Sequence, residues 1–278
     1  MESELVSLPT TSKEYVFGTH KAELERLGLQ HRVWRPEVTD AWRRAGFTAG
    51  QTLIDFGCGP GYISMDLSEI VGPSGRIIAV DHSNRFLEYL RQESDARGLT
   101  NISTYPVDLD SEPLPDIQAE GAYARWVFAY LKNRSNALEH LIAAIKPGGT
   151  IVLHEYFHYH TFQFSQPSKA FAAFIQAVLQ AWRMDGGEPD VGMELLHGIE
   201  ELGLAIESVR PIVHIVGPED YRWQWPKSWI EIAPEHLIEL GVFTEAQEEA
   251  LRRECSALES SKGIRIVTPA VLEIIARK

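Results

Sequence analysis

Three glycines at alternate positions, Gly57, Gly59 and Gly61, stand in "TLIDFGCGPGYISMDLSEIVG" (52–72), between an apolar run and an amphipathic one. Glycine at such a point removes the Cβ atoms that would hold a ligand off, and the amides that open the next helix face the same space. A loop cradling a nucleoside triphosphate needs Lys and then Ser or Thr after its last glycine, but Tyr62 and Ile63 follow Gly61. A dinucleotide fingerprint would place its third glycine where Tyr62 stands, and it has no use for an acid in the strand two residues before the loop. Asp55 is such an acid, ill-suited to a pyrophosphate and well suited to a cationic amine or sulfonium. Further along, Asp81 and Asp108 follow apolar runs, and His154 and Glu155 close another, with His158 and His160 beyond. These histidines match no common metal-ligand spacing and no Cys joins them, so no metal is expected. A histidine here could serve as a general base for an acceptor that carries a proton.

The elements that must hold these groups alternate. Apolar runs at 52–56, 76–80, 102–107, 121–128 and 150–156 read as strands. Between them, Ile63, Leu67, Ile70 and Val71 share one helical face, and Ser83 is placed to cap a helix carrying Phe86, Leu87 and Leu90. Leu138, Leu141, Ile142 and Ile145 repeat the stripe before "KPGG" (146–149), expected to end that helix. The alternation predicts an α/β fold: a Rossmann-like, mostly parallel seven-stranded sheet with helices on both faces. Residues 12–46 read as two helices broken at Pro36, and 168–183 as a strongly amphipathic helix. The runs 206–216 and 268–276 read as two closing strands paired as an antiparallel hairpin, with a helical cap between them. The expected organisation is a helical cover (1–47), a core (48–160) and a cap with the last two strands (161–278), all one domain.

Bulk composition mainly excludes. With 278 residues, 44% hydrophobic and 23% charged, the chain is an ordinary globular protein, and a net charge of -13 disfavours a nucleic-acid partner. Two cysteines, Cys58 and Cys255, make neither a disulfide framework nor a metal cluster. No apolar stretch reaches spanning length and the first residues lack a secretory pattern, so a cytoplasmic location without membrane insertion is expected.

In order, "DFGCGPG" (55–61), Asp81 in "IIAVDHS", Asp108 in "YPVDLD" and the Pro-Gly-Gly of "KPGG" resemble class I S-adenosylmethionine (SAM)-dependent methyltransferases. The likeness is to their ubiquinone/menaquinone-biosynthesis-like small-molecule members, and it covers roughly residues 50–155; "YVFGTHKAELERLGLQHRVW" near the start and the closing "ARK" are looser likenesses. It implies SAM as cofactor, S-adenosylhomocysteine (SAH) as product and a small organic methyl acceptor. It also implies that the loop residues Asp55, Gly57, Cys58, Gly59 and Gly61 border the cofactor, with Cys58 a small packing residue. Asp81, beside His82, would accept both ribose hydroxyls, while Asp108 would meet the adenine amino group with the Leu109 backbone near the ring.

Arg125 and Trp126 end the fourth strand, where side chains would overlook the transferable methyl; an Arg beside a sulfonium should bind a carboxylate, the methionine's or the substrate's, unless it pairs with Glu155. His154 and Glu155 are the candidate catalytic pair. Aromatic residues in 156–182 and in "YRWQWPKSW" (221–229) suggest a lid over an apolar or planar substrate. An apolar cap could equally dimerise. Two rivals stay open: a SAM-binding protein with a role other than methyl transfer, and a nicotinamide-dependent oxidoreductase.

Overall fold

A parallel strand buried on both faces needs helices above and below it, and the chain supplies them in turn. In the computed structural model, which describes residues 21–278, helix α1 (Lys21–Arg44) precedes β1 (Thr52–Phe56), α2 (Tyr62–Val71), β2 (Arg76–Asp81), α3 (Asn84–Arg97) and β3 (Ile102–Pro106). Next come β4 (Ala119–Arg125), α4 (Arg134–Ala143), β5 (Ile145–His158), β6 (Gln163–Phe164), α5 (Lys169–Met184) and α6 (Gly192–Glu201). The chain closes with β7 (Ala205–Ile212), β8 (Ile215–Val216), α7 (Gln224–Glu239), α8 (Glu245–Glu259), β9 (Ile266–Val267) and β10 (Ala270–Arg277).

The main sheet has seven strands in the order β3-β2-β1-β4-β5-β10-β7. Only β10 runs antiparallel to its neighbours, β5 and β7. As expected, the two last strands pair as a hairpin and helices α7 and α8 lie between them in sequence. The order reverses between β1 and β4, so their carboxyl ends splay apart and leave a crevice there. One face of the sheet buries Leu53, Ile77, Tyr123, Val152 and Ile275 under α1 and α2. The other buries Ile54, Ala122, Ile151, Leu153 and Ile274 under α4 and α6. Beyond the carboxyl edge, α5, α7 and a small β6-β9-β8 sheet enclose a separate aromatic-rich core.

Four local expectations change. Residues 21–44 form one helix through Pro36, not two. Proline removes one intrahelical hydrogen bond, but Trp34, Val38, Ala41 and Trp42 are buried around it and packing keeps the helix continuous. Residues 12–20 of that expectation, and the start of the "YVFGTH" likeness, lie outside the described residues. The strand expected over 121–128 ends at Arg125, because Phe128–Tyr130 turns into a short 3-10 helix. The run 206–216 divides: β7 stops at Ile212, and Ile215–Val216 leaves the main sheet to pair with β9. Finally, α4 stops at Ala143, and "KPGG" lies in the first residues of β5 instead of ending the helix. The cap of α3 is the expected one, Ser83 Oγ accepting from the Phe86 amide at 3.3 Å.

Candidate active site

The loop leaving β1 is tied to β2 by its backbone: the Gly57 and Cys58 amides both donate to the Val80 carbonyl at 2.9 Å. All three loop glycines are left-handed, with φ of 70°, 52° and 80° at Gly57, Gly59 and Gly61. Their surroundings separate them. A Cβ on Gly57 would meet Val127 at 2.5 Å, and one on Gly61 would drive into Leu90, whereas one on Gly59 would meet nothing within 4 Å. Gly57 and Gly61 are therefore bare for packing, and Gly59 alone keeps open space clear.

Alanine should separate these roles in urea denaturation. All three variants carry left-handed strain of roughly 1–2 kcal/mol, and Gly61→Ala and Gly57→Ala add an overpacking cost of about 1–3 kcal/mol. Gly59→Ala should be the mildest; equal losses at all three positions would refute the distinction.

Two carboxylates flank this loop. Asp81 accepts from the Gly59 amide through Oδ2 and the Ser83 amide through Oδ1, both at 2.8 Å, so its position locks the loop to the start of α3. Burial raises its pKa, against the pull of His82 and these amides. Asp55 accepts from Ser64 Oγ at 2.5 Å. Burial pushes it up to about 7, with Ser64 and Arg125 pulling the other way and Asp81 adding to the rise.

Above them opens a cleft of about 1020 Å³ including its mouth. One wall is Asp55, Gly57, Cys58, Gly59, Asp81, Arg125 and Trp126; α1 adds Arg26 and Gln30, the end of β5 and the residue after it add Tyr156 and Tyr159, and the cap adds Phe162, Trp182, Trp225 and Trp229. The aromatic lid expected from the sequence thus borders the same space. Gly61 lies just outside, packed on Leu90. His82, Asp108 and Leu109 do not line the cleft: His82 is exposed with Nδ1 3.7 Å from Asp81, Asp108 Oδ1 accepts from the Asp110 amide, and Leu109 is buried in the core beneath the sheet. The Cys58 thiol is buried and its pKa raised by that burial, as befits a packing residue.

Arg125 and Trp126 reach the cleft by an unusual backbone. Successive strand residues point to opposite faces, and Trp126 should follow Ala122 and Ala124 to the far side. Instead Trp126 is left-handed at φ 54°, the one non-glycine with positive φ among the described residues. Its indole stacks between Tyr156 (5.4 Å) and Trp225 (5.5 Å), each inclined by 14°. The Arg125 guanidinium carbon lies 5.0 Å from the Trp126 ring, and its Nη1 is buried without a hydrogen-bond partner. Pairing of Arg125 with Glu155 is not observed.

His154 and Glu155 point to opposite faces of β5 and neither lines the cleft. Glu155 lies beneath the sheet, where Oε1 accepts from the Val127 and Phe128 amides at 2.6 and 2.9 Å. Burial raises its pKa to about 7 and the amides oppose this. It therefore braces the left-handed turn that presents Trp126.

His154 lies on the α1 side between Tyr123 (Oη to Nδ1, 2.9 Å) and Glu273 (Oε2 to Nε2, 3.2 Å). Burial lowers its pKa, with Glu273 pulling the other way, and the ring joins Tyr123 to Glu273 by hydrogen bonds. Glu273 also meets Arg44 at 2.6 Å and Arg210 at 3.2 Å. Glu273 has no place in the sequence-based site; its signal was an acid inside the apolar run "AVLEIIA".

Comparison with known proteins adds a second line. A model of the ubiE/COQ5 methyltransferase family matches residues 26–182, more than half of the chain. A demethylmenaquinone methyltransferase of Lactococcus lactis is 30% identical over 133 residues, 46% of this chain and 50% of that protein. The chain spans about half the length of such curated relatives. Among solved structures, a putative methyltransferase from Bacillus halodurans aligns with TM-score 0.57 at 13% identity, over 87% of this chain and 99% of that one. The [4+2]-cyclase SpnF aligns with TM-score 0.55 at 17% identity, over 87% and 80%. At such identities these two likenesses carry the fold alone.

Proposed function

The chain belongs to the ubiE/COQ5 methyltransferase family, and from that premise we propose that it is a SAM-dependent methyltransferase acting on a small organic acceptor. The observation that carries this reading is the cleft at the β1/β4 crevice, where bare Gly59 and the carboxylates of Asp55 and Asp81 face a chamber of aromatic side chains. Two buried acids suit a cation and a diol and repel a pyrophosphate, which disfavours the nicotinamide alternative.

SAM would supply a methyl group activated by a positively charged sulfur. Asp81 would take the ribose hydroxyls and Asp55 the methionine ammonium, while Gly59 keeps room for close backbone approach. Asp108, the Leu109 backbone and His82 do not line the cleft, and their place at the adenine, beside Gly57 and Cys58 of the cleft wall, rests on the family resemblance. The aromatic cap excludes water and holds a planar acceptor in line with the methyl, which is most of what this displacement requires. No histidine borders the cleft among the described residues. His154 and Glu155 then act as positioning residues behind Tyr123 and Trp126, and the acceptor must arrive already nucleophilic.

Calorimetry with SAM, SAH and NAD tests the cofactor; SAM and SAH should bind and NAD should not. Since burial pushes the Asp55 carboxyl up to about 7, it must lose a proton before facing an ammonium. SAM affinity should therefore rise as pH increases, by up to about tenfold per unit below 7, and level off above. Buffers of different ionisation enthalpy should report proton release. A flat or inverted profile removes Asp55 from this role. Mass spectrometry of a metabolite extract incubated with labelled SAM distinguishes methyl transfer from a purely SAM-binding protein.

A further inference from the structure

An arginine in a protein interior ordinarily finds a carboxylate, because an unpaired buried charge is costly. Around Arg125 every nearby carboxylate is engaged elsewhere. Glu155 holds the Val127 and Phe128 amides on the opposite face. Asp66 holds Arg35 at 2.7 Å and His31 at 3.2 Å. Asp55 takes the Ser64 hydroxyl and stands beyond ion-pair distance of Arg125. Tyr123, Tyr156 and Asp55 lie close enough to influence Arg125, yet no hydrogen bond reaches its guanidinium from the described residues.

The donor is not alone. Trp126 Nε1 and Trp182 Nε1 are also buried without a hydrogen-bond partner, and both indoles border the same cleft. One cation and two N–H donors that meet no acceptor among the described residues thus stand among the aromatic faces of a cleft that Asp55, Asp81, Arg26 and Gln30 also line. The strained backbone of Trp126, braced by Glu155, is what brings its indole to the side of Arg125. Strain of this kind persists where the surrounding structure enforces it, commonly at ligand sites.

Resting on the methyltransferase reading, we propose that Arg125, with the indole N–H groups of Trp126 and Trp182, receives an anionic oxygen group of the methyl acceptor, which is therefore a planar aromatic or conjugated acid. The stacked Tyr156–Trp126–Trp225 rings contact its flat body. The Arg125 charge also suits an acceptor that arrives already ionised, because it favours the deprotonated form of an acid bound beside it. The anion would in turn offset the repulsion between Arg125 and the sulfonium.

The test uses naphthoate and its uncharged methyl ester as probes, read by quenching of tryptophan fluorescence in the full chain at saturating SAH. Naphthoate should bind at least about tenfold tighter than the ester, the difference expected of hydrogen bonds to a charged group. In Arg125→Gln the preference should vanish while SAH affinity stays within about threefold, since the charge-assisted contact is lost to the acceptor alone. Arg125→Lys should keep part of the preference, because it preserves charge without the forked geometry. Equal binding of acid and ester by the unaltered protein overturns the proposal, with no variant needed. So does an Arg125→Gln variant that loses SAH affinity by tenfold or more, which would assign the guanidinium to the methionine carboxylate. Failure of SAH to bind the unaltered protein refutes the methyltransferase reading instead; the acid-over-ester comparison, repeated without SAH, then still judges the anion receptor.

Discussion

Replacing Asp81 with Ala is expected to weaken SAM binding by about two orders of magnitude, the worth of two charge-assisted hydrogen bonds in a cleft that excludes most water. The variant removes the proposed ribose acceptor and also frees the Gly59 and Ser83 amides, which Asp81 holds at 2.8 Å each. The loop then loses its lock to α3 at the point where Gly59 leaves space for the ligand. Asp81→Asn separates the effects. Its single carbonyl can retain one amide but cannot accept two hydroxyls, so it should keep most of the fold stability and still bind SAM at least tenfold more weakly. Calorimetry measures both. Unchanged affinity in Asp81→Ala removes the nucleoside from this groove, and with it the proposed function.

Glu273→Ala should be strongly destabilising, by about 2–3 kcal/mol, the cost of leaving buried His154 Nε2 without its acceptor and losing charge-assisted contacts to two arginines. Glu273 is fully buried, and its loss strips His154 Nε2 of its acceptor and leaves Arg44 and Arg210 with Asp40 as their shared carboxylate. These partners join β5, β10, β7 and α1, so the residue links the antiparallel hairpin to the parallel core and its helical cover. Chemical denaturation should show a lower midpoint with an unchanged slope.

The pH dependence has a definite sign. Burial alone would raise the Glu273 carboxyl, but His154 and Arg44 outweigh it and hold the group below its usual 4.5. Its contribution is present above that value and is lost as pH falls through the lower folded value. Glu155, raised to about 7, works oppositely: its contribution is full in acid and declines as pH rises through 7. The Glu273→Ala penalty should therefore shrink in acid. A loss below 1 kcal/mol at neutral pH, where a surface pair would fall, would show that the network contributes little.

The geometry of the proposed cofactor side was legible because its signals are local. A strand, a glycine turn and an acid at the next strand end lie within a few dozen residues, and their spacing follows from backbone geometry. Asp55, Gly59 and Asp81 accordingly meet at one crevice. Even there, sequence could not divide the three glycines, since the distinction depends on Val127 and Leu90 arriving from elsewhere. The likeness that suggested a role for Asp108 and Leu109 says nothing of which way they face.

The acceptor side was much less legible. Alternation along a strand says that His154 and Glu155 face opposite ways, but not which side carries the cleft. One left-handed residue, Trp126, moved the aromatic wall across the sheet, and its positive φ has no marker in residue type. Pro36 shows the same limit, since a local breaker yielded to the packing of Trp34, Val38 and Trp42.

By itself, then, the sequence determined the alternating α/β framework, the seven-stranded sheet and the glycine turn after β1 between Asp55 and Asp81, because short-range periodicity and turn geometry dictate them. Tertiary structure alone decided that Arg125 is left without a partner, that Glu155 is a brace, and that Glu273 joins four elements. Those outcomes depend on which carboxylate reaches which donor across the sheet, and residues over a hundred positions apart, such as His154 and Glu273, meet only once strands are in register.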